Sequence, residues 1–133
     1  MKKIVTVDGP AGSGKEKISK FISRKYKFYH IDSGIFYRRV AYELEKRVIK
    51  ANEIQKVKNL INSLNPLSLR KQAALRQEKI GYIASEIAKY KFVRDFVNFQ
   101  QRLATKRIKN SRGFVIDGRD IGSVVFKKAF LKL

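Results

Sequence analysis

The chain has 133 residues, 44% of them apolar, no cysteine and a formal net charge of +20. That length suits one domain with a single core, and the lack of cysteine excludes both a disulfide framework and a cysteine-ligated zinc site. No apolar run approaches the ~20 residues of a membrane span, and Ile4 to Val7 is too short for a secretory signal, so a soluble cytoplasmic protein is expected.

Taken in chain order, Lys3 to Val7 is an apolar run bounded by Asp8-Gly9-Pro10, the pattern of a central parallel strand. A helix is predicted from Lys15 to about Lys25, with Ile18, Phe21 and Ile22 as its buried stripe. Phe28 to Ile31 reads as a second strand, and Asp32 or Ser33 is placed to cap the next helix, whose stripe is Val40, Leu44 and Val48. Asn52 to Leu64 reads as a further helix with Ile54, Val57, Leu60, Ile61 and Leu64 at helical spacing. Asn65-Pro66 stops it. Two more helices are predicted at about 78–89 and 91–106, the second with Phe92, Val93, Phe96, Val97 and Leu103 inward. Gly113 to Asp117 is a clear strand, and Phe130 to Leu133 begins another as the sequence stops. Strands alternating with helices argue for an α/β layer fold around a parallel sheet. A doubly wound sheet rarely closes a chain in mid-strand, so a C-terminally truncated or incomplete sequence is expected.

The high positive charge admits a basic nucleic-acid-binding module. Against it, the cations are scattered through every segment without a basic run of five or more, and Phe92, Phe96 and Phe99 are spaced for a helix face rather than a stacking platform. No nucleic-acid partner is therefore expected.

The chemistry concentrates at strand ends. Gly9-Pro10-Ala11-Gly12-Ser13-Gly14-Lys15 follows a strand and opens a helix, as a phosphate-binding loop must. Its glycines let backbone N–H groups curl around a polyphosphate, the helix N-terminus adds positive potential, and Lys15 reaches the β and γ phosphates. The pattern ordinarily continues with Ser or Thr, whose hydroxyl helps to hold Mg²⁺; Glu16 and Lys17 stand here instead. After the second strand come Asp32-Ser33-Gly34 and Tyr37-Arg38, offering a hydroxyl for a base or sugar and an arginine for a phosphate. Arg76, Ser85 and Arg94 follow on polar helices. After the last clear strand, Asp117-Gly118-Arg119-Asp120 puts an acid where a Walker-B-type carboxylate would order water around Mg²⁺.

Together these stretches resemble bacterial cytidylate kinase, a nucleoside monophosphate kinase of the P-loop class. The resemblance rests on Val7 to Lys15, on Ile31-Asp32-Ser33-Gly34 with Tyr37-Arg38, on Ile80-Gly81 with Ala84-Ser85 and Val93-Arg94, and on the distinctive run Asp117 to Phe126. It covers most of residues 2–48 and 76–130. The resemblance implies a three-layer NMP-kinase-like fold, a parallel sheet flanked by helices, as one incomplete domain over residues 1–133. Within it, 34–110 would be a mainly helical acceptor-binding segment. It implies transfer of the ATP γ-phosphoryl group to CMP or dCMP, with Mg²⁺, by a cytoplasmic monomer.

By the same resemblance, Gly9, Pro10, Ala11, Gly12, Ser13, Gly14 and Lys15 would hold the donor phosphates. Ser33, Arg38, Arg76, Ser85, Arg94, Arg119 and Asp120 would bind the acceptor. Lys15, Arg119 and Asp117 would carry catalysis, Asp117 meeting the metal through water. The sequence departs from the family at Glu16-Lys17, where a carboxylate beside a triphosphate repels it unless it binds Mg²⁺ or pairs with Lys17. The segment Asn65 to Leu75 leaves little room for the small β-sheet of many relatives. The family's lid, its last strand and its further catalytic arginines would lie beyond Leu133, so weak or absent turnover is expected of this chain alone. A nucleotide-binding protein without catalysis is the alternative that Glu16 and Lys17 raise.

Overall fold

The computed structural model describes residues 2–10 and 12–133. The chain forms two compact units, one of residues up to Ser33 together with Gln101–Leu133, the other of Gly34–Gln100.

The first unit is built on strands β1 (Lys3–Asp8), β2 (Tyr29–Asp32), β3 (Gly113–Gly118) and β4 (Leu131–Lys132), with helix α1 (Lys15–Tyr26) between β1 and β2. All pairings are parallel and the strand order is β2-β3-β1-β4. Every residue of β3 is buried, in keeping with its largely apolar run: a parallel strand whose two faces are both covered has no wet face. The register carries Lys3 opposite Gly113 through to Asp8 opposite Gly118, and Asp32 opposite Asp117. The carboxyl ends of β1, β2 and β3 are thereby aligned at one edge, where ligands of open α/β sheets bind. β4 is short but well tied, with Phe130 N–H donating to Ile4 O, Leu133 N–H to Thr6 O and Asp8 N–H to Leu133 O.

Helix α1 corrects one sequence expectation. Ile22 packs with Val5, Val7, Val115 and Phe28, but Ile18 and Phe21 are 46% and 61% exposed. The residues turned inward are Ser19 and Ile22, three apart, and Ser19 satisfies its buried hydroxyl by donating to Lys15 O at 2.8 Å. A small polar residue that bonds its own preceding turn can occupy a buried position that a reading of apolar spacing overlooks.

The second unit contains α3 (Ile54–Ser63), a short 3₁₀ turn (Ala73–Arg76) and α4 (Glu78–Ile87), together with most of α2 (Ser33–Lys46) and the start of α5 (Lys91–Arg107). No strand occurs among the described residues of 34–100. Val40, Leu44, Val57, Ile80, Ile87 and Val93 are fully buried or nearly so. Val48, expected inside, is 85% exposed because α2 has already ended and Val48 sits in the left-handed region at φ 56°. Ile54, in the first turn of α3, is likewise 46% exposed. Gln100 is buried where a hydrophobe would be expected. Its Oε1 accepts from Leu67 N–H and its Nε2 donates to Asn65 Oδ1, each at 2.9 Å, so it pins the segment after α3.

Truncating the central strand tests this architecture. Ile116 lies between Thr6 and Ile31 with no exposed surface. Ile116→Ala is expected to lower unfolding stability by about 2–5 kcal/mol in urea titration, the range for a large-to-alanine change in a close-packed core.

Candidate functional site

The loop after β1 has the backbone that its glycines allow. Gly12 and Gly14 both take positive φ, 79° and 87°, which a side chain would strain. At Gly9 a Cβ would lie 2.6 Å from Ser13 Oγ, so a side chain there would require the Ser13 hydroxyl to turn aside. Ser13 N–H donates to Pro10 O and Ile18 N–H to Gly14 O, so the turn runs directly into α1. The N–H groups of Lys15, Glu16 and Lys17 have no backbone acceptor among the described residues, leaving the helix N-terminus open toward an anion. Ala11 lies outside the described residues. Glu16 pairs with Lys20 at 3.0 Å, one helical turn on, and not with Lys17.

At the ends of β2 and β3 the carboxylates are held, not free. Asp117 is 2% exposed, and its Oδ2 lies 2.6 Å from His30 Nε2. His30 is the chain's one histidine. Beyond Asp117, Gly118 is required because a Cβ would overlap Ser33 Oγ, so Ser33 is seated directly against the β3 end. Arg119 and Asp120 are exposed, Asp120 at φ 56°, a conformation that Asp tolerates better than most residues. Asp8, the last residue of β1, closes this region. Its Oδ1 accepts from Ile121 N–H at 2.6 Å and its Oδ2 from Gly122 N–H at 3.0 Å.

In the second unit the expected acceptor residues are placed around α4. Arg38 Nη1 donates to Leu75 O at 2.7 Å, beside Arg76, which is exposed. The guanidinium of Arg38 also lies against Gly81, where a Cβ would come within 2.7 Å of Nη2. Ser85, one turn further along α4, donates to Tyr82 O at 2.7 Å, and Arg94 donates to Ala88 O and Lys89 O at the helix's carboxyl end. That interaction places a cation against the negative end of a helix. Arg39, adjacent to Arg38, does something else. It is 4% exposed and donates to Gln72 Oε1 and Arg70 O, holding the segment before the 3₁₀ turn.

Four residues to which the sequence alone assigns no role thus shape the region: Asp8, His30, Arg39 and Gly81. An acid ending an apolar strand, a single histidine beside an aspartate in register and a glycine within a helix were the signals available for three of them. Nothing in the sequence distinguishes Arg39 from Arg38 except helical phase.

A glycine-rich loop at the carboxyl end of a central parallel strand, with the next strand's acid in register beside it, is the arrangement of an α/β protein of the P-loop class. The family model described as "Cytidylate kinase" matches residues 5–133, and the chain belongs to that family. It is 34% identical over 141 residues to the cytidylate kinase of Fusobacterium nucleatum, covering 98% of this chain and 62% of the relative. The cytidylate kinase of Caldicellulosiruptor saccharolyticus is also 34% identical, over 149 residues, covering 100% of this chain and 63% of the relative. A bifunctional pantoate ligase/cytidylate kinase of Prochlorococcus marinus is 33% identical over 146 residues, or 99% of this chain and 28% of the relative. The chain therefore spans less than two thirds of the length of these relatives. Among the described residues no helix is long and apolar enough to cross a membrane.

Tyr37 reports on the electrostatics of the second unit. Burial pushes its phenol above the ordinary tyrosine range, an effect that nearby Arg94 opposes and Asp95 reinforces. Because the folded state favours the neutral phenol, the associated stability is complete below pH 10 and is lost as pH rises through the raised value. Thermal melts of the wild type and Tyr37→Phe should converge in their pH dependence below pH 9. Above pH 10 the wild type should lose stability more steeply than the variant.

Proposed function

We propose that this protein is a (d)CMP kinase, transferring the γ-phosphoryl group of ATP to CMP or dCMP to give ADP and CDP or dCDP. The observation that carries the reading is the family match over residues 5–133, combined with a glycine loop whose Lys15 and open helix N-terminus suit a polyphosphate. In this reading Gly9 to Lys15 hold the donor, and Ser33, Arg38, Arg76, Ser85, Arg94, Arg119 and Asp120 serve the acceptor, with 34–110 as the acceptor-binding segment.

The chemistry asks for positioning and neutralisation more than for covalent participation. An acceptor phosphate oxygen attacks the γ phosphorus in line, the bond to the β–γ bridging oxygen breaks, and ADP leaves with that electron pair. Lys15 and the loop amides stabilise charge on the donor phosphates, and Arg119 offers an exposed cation. Among the described residues, no group of three or more His, Asp or Glu side chains is placed to hold a metal ion by itself. Mg²⁺ accompanying ATP would supply further charge neutralisation, with water around it. Asp117 would order that water, its other role being the bond to His30. Glu16 adds a negative charge near the donor, which the pair with Lys20 offsets in part. Glu16 with Lys17 favours the second reading, a nucleotide-binding protein of low catalytic power. Cytoplasmic location and a monomeric state complete the proposal.

Isothermal titration with CMP, UMP and AMP, followed by a coupled ADP assay, tests both readings. CMP should bind at least about tenfold more tightly than UMP or AMP, and Lys15→Met should reduce turnover by about 10²-fold or more. Specific CMP binding without turnover, restored by Glu16→Ser with Lys17→Thr, would establish the second reading. Affinity for RNA that falls steeply with salt and ignores CMP would overturn both. Gly81→Ala, which drives a methyl group into the Arg38 guanidinium, should weaken CMP binding by about five- to tenfold and leave ATP-analogue binding unchanged.

A further inference from the structure

We infer that Asp8 is a positioning residue that straps the Arg119-Asp120 turn to the donor loop, so that occupancy of the loop and affinity for the acceptor are coupled. The inference rests on the kinase reading above, but its geometry lies wholly within the first unit.

The strap has two ends. Gly9 N–H donates to Gly118 O at 3.0 Å, immediately before Arg119. Ile121 N–H and Gly122 N–H donate to the two oxygens of Asp8 at 2.6 and 3.0 Å, immediately after Asp120. Two consecutive residues, the last of β1 and the first of the loop, thus fix both flanks of a two-residue turn. Arg119 and Asp120 are exposed and Asp120 adopts φ 56°; besides the strap, the turn is tied only to its own continuation, Asp120 O accepting from Val124 and Val125 N–H, among the described residues' backbone bonds. Hydrogen bonds from backbone amides to a carboxylate are charge-assisted and about twice as strong as neutral ones. A bidentate arrangement also fixes direction, because each oxygen addresses a different amide. Beyond the turn the segment has no slack: Gly122 is buried, and a Cβ there would meet Thr6 Oγ1 at 2.7 Å. A phosphate that fixes the loop amides would also restrain Asp8 and Gly9 and, through their bonds, the turn. A ligand on either side then biases the same element, which is what coupling between two sites requires.

The test is a double titration of the wild type and Asp8→Asn, an isosteric change that replaces one acceptor oxygen by a donor facing an N–H. In the wild type a non-hydrolysable ATP analogue should change the CMP dissociation constant by about threefold or more, and CMP should change the analogue's constant by the same factor. In Asp8→Asn the analogue should bind within about twofold of wild type, CMP should bind about tenfold more weakly, and the coupling factor should fall to about one. Equal weakening of both ligands would assign Asp8 a scaffold role and overturn the inference, as would wild-type behaviour in the variant. Amide hydrogen exchange supplies a reading independent of the kinase proposal. In the wild type the Ile121 and Gly122 amides should be protected, and analogue binding should slow them further. Free exchange at both amides in the wild type would overturn the strap even if the variant failed to fold. A wild type that ignores CMP while its amides respond to the analogue would instead overturn the kinase reading and leave the strap standing.

Discussion

The constraint on which the candidate site depends is the parallel register between β1 and β3. Six successive pairs, from Lys3 with Gly113 to Asp8 with Gly118, bring two chain segments more than a hundred residues apart to a common end. A slip of β1 by one residue would turn Val5 and Val7 away from Ile22 and Val115 and bring Thr6 in their place. The buried faces of both strands therefore fix the register far more strongly than any contact within the loops. Once it is fixed, the glycine loop leaves β1 beside the point where Arg119 leaves β3, and Asp117 stands level with both Val7 and Asp32.

The acids at that edge are held in different ways. Asp117 is enclosed and bonded to His30, whereas Asp8 is exposed yet directs both oxygens to backbone amides. Asp120 stays exposed. Under the kinase proposal these ties limit the negative charge free to face the loop, where it would repel a polyphosphate. Glu16 is the exception, and its pairing with Lys20 directs it along the surface of α1. That explains how the residue is tolerated without giving it a function.

Much of the fold was legible because its signals are local and strong. β1 and β3 are short apolar runs closed by glycine and aspartate, and α1 opens at the lysine that ends the glycine pattern. The departures share a cause. Spacing alone turns Ile18 and Phe21 inward, whereas Ser19 takes the buried position by bonding its own helix. Val48 continues an apparent stripe past the point where α2 stops. Gln100 and Arg39 are buried polar groups whose partners, Leu67 with Asn65 and Gln72 with Arg70, are supplied by distant irregular segments. Such partners follow from tertiary structure and leave no periodic trace. The residues around the candidate site were legible for a different reason. A motif that must bind phosphate constrains residue type at fixed spacing, whatever the surrounding packing.

Arg38 and Arg39 show how far that legibility reaches. They are chemically identical neighbours, and composition treats them alike. One helical step of about 100° turns them in different directions. Arg39 is enclosed and committed to the segment before the 3₁₀ turn, with its Nε left without a partner. Arg38 uses one nitrogen on Leu75 O and rests another against the open face of Gly81. A guanidinium has five N–H donors, so a single carbonyl leaves most of Arg38's capacity unused. Enclosure makes the first arginine a structural tie, because releasing it would strand a buried charge. Partial exposure makes the second suited to a ligand, because an anion can add bonds there without breaking any that hold the fold. Whether a cation here ties the fold or stays available is set by which face of the helix it occupies.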